Sequence, residues 1–230
     1  ARRLKMARSE ANLRELAKYA LDENQLRRLS KKASTLLVSS EQSASFKTLK
    51  MGIISNSTTS LALSALVGTA LRYGISLQVY EAEFNQVAQE AFSADSAFYN
   101  LSLDVILLAI DHTGLHFVSC PGDKYAAEAN IQDSFKYLNN VLTGLKSKTG
   151  AQIIMQNIVS PAELTFGSYE RQLSGTLSSF VSGINRELDL FKDPGVFILD
   201  IAGLSANIGL SNWHDPTLWN MAKISFSQRY

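Results

Sequence analysis

The chain alternates short apolar runs with longer amphipathic stretches, and this alternation constrains its fold more than any other feature. The amphipathic stretches have the 3.6-residue period of helices. Such alternation predicts an α/β fold with a parallel sheet, helices on both faces and right-handed connections. The apolar runs that predict strands are residues 50–54, 75–80, 103–110, 151–156 and 196–199. Five strands favour a flavodoxin-like, three-layer sandwich with strand order 2-1-3-4-5.

The predicted core consists of the strands and the inward faces of their helices. The eight-residue run at 103–110 is long enough for a strand that is buried on both faces. We also expect long helices over residues 126–148 and 169–191. The expected core residues are Ile53, Ile54, Val79, Val105, Ile106, Leu107, Leu108, Ile153, Ile154, Phe197, Ile198 and Leu199.

Two helices are predicted before the first strand. Leu13, Leu16 and Ala17 share one helical stripe, and Asp22 can cap a second helix that carries Leu26 and Leu29. A serine-rich stretch at 39–45 then predicts a linker. We therefore expect a helical N-terminal extension over residues 1–45, separable from an α/β domain over residues 46–230.

Charge is distributed unevenly along the chain. Residues 1–32 hold ten basic and four acidic side chains, whereas the rest of the chain holds 12 basic and 17 acidic ones. A basic arm can contact nucleic acid or an anionic membrane, but we favour the alternative, a solvated helical face that can also dock on the acidic body. Tyr19 is the only aromatic residue in this arm, which argues against a platform for single-stranded nucleic acid.

Composition excludes several classes of protein. No apolar run reaches the length of a membrane span, and no signal peptide opens the sequence. Cys120 is the only cysteine, so no intrachain disulfide can form, and one cysteine with three histidines does not make a convincing zinc site. We expect a cytoplasmic protein without a membrane partner, a metal or a cofactor.

The residues that follow the strands are the candidates for function, because ligands of such sheets bind at the carboxyl ends of the strands. Ser55, Asn56, Ser57 and Thr58 follow the first strand and open a helix. Hydroxyl groups there suit an anion, or a serine nucleophile beside an oxyanion hole. Plain N-capping of the helix is the alternative. The loop has neither the glycines nor the lysine of a P-loop.

Later strands end in further candidates. Asp111 follows the third strand, where it can point into the crevice or cap the next turn. His112 and His116, on the same loop, can serve as a base or lie exposed. Asn157 follows the fourth strand, and its amide can both donate and accept.

A histidine precedes the last predicted helix. His214 follows the fifth strand, where it can act as the base that a serine nucleophile such as Ser57 requires. The neighbouring Asp215 can contact a ligand or cap the helix that Pro216 begins. We expect Ser57, Asp111 and His214 to converge as candidate catalytic residues, with Asn56, Thr58, Asn157 and Asp215 as candidate substrate-binding residues.

Three blocks of this sequence resemble the SGNH hydrolases. Their Gly-Asp-Ser block matches Ser55-Asn56-Ser57, which places Ser57 at the nucleophile position. Their Gly-x-Asn-Asp block matches residues 109–112, with Asp111 in place of the oxyanion-hole asparagine. Their Asp-x-x-His block matches residues 211–214, which makes His214 the implied base. The glycine, the assisting aspartate and the asparagine of the blocks are replaced here.

A second resemblance, over about residues 48–227, is to the N-terminal region of FkbH-like proteins. It rests on the segments 55–59 (Ser-Asn-Ser-Thr-Thr), 79–87 (Val-Tyr-Glu-Ala-Glu-Phe-Asn-Gln-Val) and 213–223 (Trp-His-Asp-Pro-Thr-Leu-Trp-Asn-Met-Ala-Lys). In that family the region precedes a haloacid-dehalogenase-like phosphatase domain, whose Asp-x-Asp-x-Thr motif does not occur in these 230 residues. The family is implicated in loading glyceryl units onto acyl carrier proteins in polyketide pathways.

The resemblance implies two functions. The first is a module, weakly or not catalytic alone, that positions an acyl or glyceryl substrate or a carrier protein for the downstream phosphatase domain. The second is an SGNH-type esterase or acyltransferase with a Ser57/His214 dyad. The replaced blocks favour the first, because a carboxylate such as Asp111 would oppose a developing oxyanion.

Overall fold

The computed structural model describes residues 10–37 and 46–227. The predicted linker at 39–45 and the basic residues Arg2, Arg3, Lys5 and Arg8 lie outside the described residues. The helices are α1 (Glu10–Ala17), α2 (Glu23–Leu37), α3 (Ser60–Ala70), α4 (Val87–Phe92), α5 (Lys124–Thr149), α6 (Leu177–Leu190), α7 (Ile201–Ile208), α8 (Leu210–Trp213) and α9 (Pro216–Ala222). The strands are β1 (Lys47–Ser55), β2 (Ile75–Glu81), β3 (Val105–Ala109), β4 (Gln152–Gln156) and β5 (Val196–Leu199).

The five strands form one parallel sheet in the order β2-β1-β3-β4-β5. In its register, Ile106 lies opposite Ile153 and Leu107 opposite Ile154 in the β3–β4 pair. Ile154 in turn lies opposite Phe197 in the β4–β5 pair. The predicted fold class, an α/β fold with this strand order and a helical N-terminal part, is confirmed. None of the described helices is both long and apolar enough to cross a membrane.

The chain forms two compact units, and the division passes through β1. Of the described residues, the first unit comprises 10–37, 46–52 and 59–80. Within it, α1 and α2 pack against α3 and the 3-10 helix Leu71–Tyr73. Their shared core contains the buried side chains of Leu13, Ala17, Leu29, Ala33, Phe46 and Leu71. The predicted extension thus shares its apolar core with residues that follow position 45, and an independently folding boundary there stays a prediction.

Of the described residues, the second unit comprises 53–58 and 81–227. Its long helix α5 begins at the capping side chain of Asp123 and ends at Gly150, which has a φ of 66°. Glycines let the neighbouring helices approach closely: a Cβ on Gly144 would lie 2.5 Å from the Ala91 carbonyl oxygen of α4. One on Gly183 of α6 would lie 2.4 Å from Ile131 Cδ1 of α5.

The predicted helix over residues 169–191 is wrong in its first part. A 3-10 helix, Gly167–Gln172, is followed by a break, and α6 begins only at Leu177. The break is stabilised by backbone hydrogen bonds from Cys120 and Gly122 to the carbonyls of Gly175 and Ser174. Thr176 then starts α6 with a capping box.

The core prediction fails at β5. Phe197 and Leu199 were expected to be buried, but their side chains are 53% and 41% exposed. β5 is an edge strand of the sheet, and successive side chains of a strand point to opposite faces. One face of β5 is therefore left largely uncovered, while the central strand β3 is buried as predicted through Val105, Ile106 and Leu108.

The N-terminal helices should contribute to stability through their buried leucines. Leu29 is fully buried in the core of the first unit. We expect Leu29→Ala to lower the free energy of unfolding by about 2–4 kcal/mol, because it removes apolar contacts and leaves a cavity. Urea denaturation measures this effect, with the exposed neighbour Arg28→Ala as the control. Equal stability of the two variants would show that α2 is not part of the folded core.

Candidate functional site

A chain of hydroxyl groups runs through the loop after β1. Ser55 Oγ donates to the Ala109 carbonyl at the end of β3, at 2.8 Å. Ser57 Oγ lies 3.1 Å from Ser55 Oγ and 3.3 Å from Ser225 Oγ. A hydroxyl has a single hydrogen, and a carbonyl can only accept. Because the Ser55 hydrogen goes to Ala109, Ser57 must donate to Ser55, and Ser225 in turn donates to Ser57.

This direction defines the state of Ser57. Its side chain is buried, and its backbone N–H also donates to Ser55 Oγ, at 2.9 Å. The hydrogen that a general base would have to remove points at another serine. Among the described residues the hydrogen-bond partners of Ser57 Oγ are hydroxyl groups, and His214 is not one of them.

The last residue of α9 and the segment that follows it accept hydrogen bonds from this loop. The Thr58 N–H donates to the Lys223 carbonyl at 2.8 Å, and Thr58 Oγ1 donates to the Ala222 carbonyl at 2.7 Å. The same segment is attached further along, where the Ser227 N–H donates to the Trp213 carbonyl at 2.7 Å. Thr58, a predicted substrate contact, therefore holds the C-terminal segment in place.

Asn56 and Asp111 tie the loop after β1 to the loop after β3. Asn56 Nδ2 donates to Asp111 Oδ1 at 2.8 Å and to Thr113 Oγ1 at 2.9 Å, and its Oδ1 accepts from the Asp111 N–H at 2.9 Å. Asp111 Oδ1 also accepts from the N–H and the hydroxyl of Thr113. Asp111 thus caps the next turn, one of its two predicted roles. A Cβ on Gly114 would lie only 2.7 Å from Asn56 Cγ.

A second pair repeats this arrangement between β4 and β5. Asn157 Nδ2 donates to Asp200 Oδ1 at 2.8 Å, and Asn157 Oδ1 accepts from the Ala202 N–H at 2.8 Å. Asp200 Oδ1 also accepts from the Gly203 N–H and so caps α7. The hydrogen bonds from Asn157 and from Gly203 both stabilise the carboxylate, which lowers the pKa of Asp200.

The two histidines of this region are near enough to interact. Burial lowers the pKa of His112, the Asp111 carboxylate raises it, and the imidazole of His214 lowers it again. His112 is therefore partly buried, not the exposed histidine that was the alternative. His214 Nε2 donates to the Ser160 carbonyl at 2.9 Å. In a neutral His214 ring, Nδ1 is then the basic nitrogen.

Asp215 adopts one of its two predicted roles. Its Oδ1 accepts from the N–H groups of Thr217 and Leu218, at 3.0 and 3.1 Å, and caps the helix that begins at Pro216. The carboxylate thereby satisfies two donors that the first turn of a helix leaves without a partner.

The structure therefore brings the predicted site residues together in smaller groups than expected. Asn56 joins Asp111, Ser57 joins two serines, and Asn157 joins Asp200. Sequence reasoning missed Ser225, which lies in no motif and directly after no strand. Among residues 10–37 and 46–227, no cluster of three or more His, Cys, Asp or Glu side chains could hold a metal.

Comparison with known proteins finds a matching family model and a similar solved structure. The family model for the FkbH N-terminal domain matches residues 50–229. The crystal structure of the N-terminal part of the protein BF1531 from Bacteroides fragilis, containing a phosphatase domain and complexed with Mg, has a similar fold, with a TM-score of 0.73 and 19% sequence identity. The match covers 90% of this chain but about half (52%) of that chain. The comparison with curated proteins gave no match.

The Asn56–Asp111 pair should be important for stability. Asn56→Ala removes three hydrogen bonds and leaves the Asp111 N–H and carboxylate without a partner from Asn56. We expect a loss of about 2–3 kcal/mol in the free energy of unfolding. The control is Asn140→Ala, an exposed position on α5, where the change should stay within about 0.5 kcal/mol. Equal effects at both positions would contradict a structural role for the pair.

His112 should make stability depend on pH. Because its pKa is lowered from 6.5 in the folded protein, the unfolded chain binds more protons just below that pH. Stability should therefore fall as the pH is lowered from about 7.5 to 5.5, and this loss should be smaller in His112→Gln. Thermal melts at several pH values measure it, with the exposed His116→Gln as the control. An unchanged pH dependence in His112→Gln would contradict the assignment.

Proposed function

Because the chain belongs to the FkbH N-terminal domain family, we propose that it is a positioning module of a FkbH-like biosynthetic protein. In this proposal an SGNH-like domain in the cytoplasm presents an acyl or glyceryl group, delivered by a carrier protein, to a phosphatase-like domain of the same polypeptide. The module itself has little or no catalytic activity.

The observation that carries this proposal is the direction of the hydroxyl chain. Ser57 donates to Ser55 and accepts from Ser225, so its hydrogen is committed to a structural contact. A serine nucleophile requires a base within hydrogen-bond reach of that hydrogen. The arrangement supports a structural serine at the position where the SGNH resemblance implies a nucleophile.

The other two implied catalytic groups are also engaged in holding loops. His214 directs Nε2 to the Ser160 carbonyl, and Asp111 Oδ1 accepts from Asn56 and Thr113. An oxyanion hole needs hydrogen-bond donors aimed at the developing charge, and the carboxylate of Asp111 is an acceptor. These contacts support a rigid binding platform in preference to a reacting centre.

The partner domain in the proposal comes from the structural relative. The BF1531 structure contains a phosphatase domain, and this chain spans about half of that structure's length. The shared fold supports a linked phosphatase domain as the one that acts on the group that the module presents.

An active-site serine probe tests the proposal directly. We expect a fluorophosphonate to leave Ser57 unlabelled, and p-nitrophenyl acetate to be hydrolysed no faster by the wild type than by Ser57→Ala. Asp111→Asn, which would supply an oxyanion donor worth about 3 kcal/mol to a working serine, should also stay inert. The control is Ser182→Ala, an exposed position on α6.

The opposite result would identify the esterase or acyltransferase. Labelling that disappears in Ser57→Ala but persists in Ser182→Ala, together with hydrolysis that requires His214, would contradict the positioning module and establish the Ser57/His214 dyad.

A further inference from the structure

The exposed side of α2 carries a set of basic side chains that form no ion pair with the part of the chain that the structure describes. We call Arg27, Arg28 and Lys31 the basic face. All three are exposed, and in an α-helix positions i, i+1 and i+4 fall on one side within a rise of about 6 Å. The opposite side of α2 is fixed by Leu29 and Ala33, which are buried in the core of the first unit.

Two acidic residues near the N-terminal helices have other partners, and a third, Glu23, lies in the first turn of α2, where a carboxylate interacts favourably with the helix dipole. Glu15 forms an ion pair with Lys18, and Asp22 Oδ1 accepts from the Gln25 N–H at the start of α2. Arg27 bonds to the uncharged amide of Asn24. With the described residues, Arg28 and Lys31 form no ion pair.

The chemistry of the face selects among anionic partners. The other exposed positions on α2 near it, including Asn24 and Thr35, are polar, whereas a helix that lies in a membrane needs exposed apolar side chains. No aromatic residue occurs in α2, and proteins that bind single-stranded nucleic acids rely on aromatic stacking. Three cations within one helical turn are complementary to carboxylates spaced three or four residues apart on another helix.

We propose that the basic face of α2 is the docking surface for a small acidic protein that presents a carboxylate-bearing helix. This inference rests on the proposed function in one respect, since the carrier protein of that proposal is the partner it fits. The attraction between the opposite charges should accelerate association of the two proteins. The affinity should fall as added salt screens these charges.

Charge reversal tests the docking surface in the 230-residue chain. The probe is a fluorescently labelled acidic acyl carrier protein, whose dissociation constant is measured by anisotropy at low and high salt. We expect the triple variant R27E/R28E/K31E to weaken binding at least about tenfold. The control is K124E/K136E/R186E, which reverses three exposed cations of α5 and α6 and should change binding less than about twofold.

A milder variant keeps the test decisive if charge reversal affects folding. Arg28→Gln with Lys31→Gln removes two charges without introducing repulsion, and it should weaken binding about threefold while the thermal melt is unchanged. Equal weakening by the two triple variants would overturn the inference. So would the absence of carrier binding to the wild type at millimolar concentration, or tighter binding of duplex DNA than of the carrier at the same salt.

The outcomes separate this inference from the proposed function. Labelling of Ser57 by the fluorophosphonate would contradict the positioning module and leave the docking surface standing if α2 reversal still abolishes carrier binding. If Ser57 stays unlabelled and the charge reversal on α2 does not change carrier binding, the docking surface is contradicted and the positioning module stands.

Discussion

Pairing between an asparagine after one strand and an aspartate after its neighbour is the interaction on which the candidate site depends. Parallel strands end at the same edge of a sheet, and their loops leave polar backbone groups there that need partners. Asn56 with Asp111, and Asn157 with Asp200, satisfy those groups with amide and carboxylate atoms. Each pair fixes the relative positions of two loops. The hydroxyl chain and the helix caps lie on these loops, so their geometry depends on the pairs.

The need to satisfy these polar groups also explains why residue types that are common in catalysis hold loops in place here. Serine, aspartate and histidine are useful in catalysis because they donate and accept hydrogen bonds, and those properties equally suit loop fixation. What distinguishes the two uses is where the hydrogen points. Ser57 directs it to Ser55, and His214 directs one to the Ser160 carbonyl. Residue identity at a motif position therefore says less about activity than the direction of the hydrogen bonds.

Fold and site differ in how far the sequence determines them. Periodicity predicted all five strands and their order, because each strand is a local pattern and the right-handed connection rule limits the topology. It overestimated the burial of Phe197 and Leu199, since a pattern cannot reveal which face of an edge strand stays uncovered. It also ran a helix through Gly175, where contacts with residues 120 and 122, distant in sequence, determine the break. The sequence indicates which loops form the site. It does not indicate Ser225, because this residue joins the site through a contact with Ser57, which is distant in sequence.

Two glycines next to the asparagine–aspartate pairs have a consequence for how the family's sequences would vary. Gly114 and Gly203 do not have the positive φ values that usually make a glycine irreplaceable. Yet a Cβ would lie 2.7 Å from Asn56 Cγ at the first position and 2.2 Å from Asp200 Oδ2 at the second. We therefore expect each glycine to covary with its asparagine–aspartate pair. Where the asparagine or the aspartate is replaced by a smaller residue, the glycine can be replaced as well. Covariation between these positions would record the geometry of the site even where the hydroxyl residues have diverged.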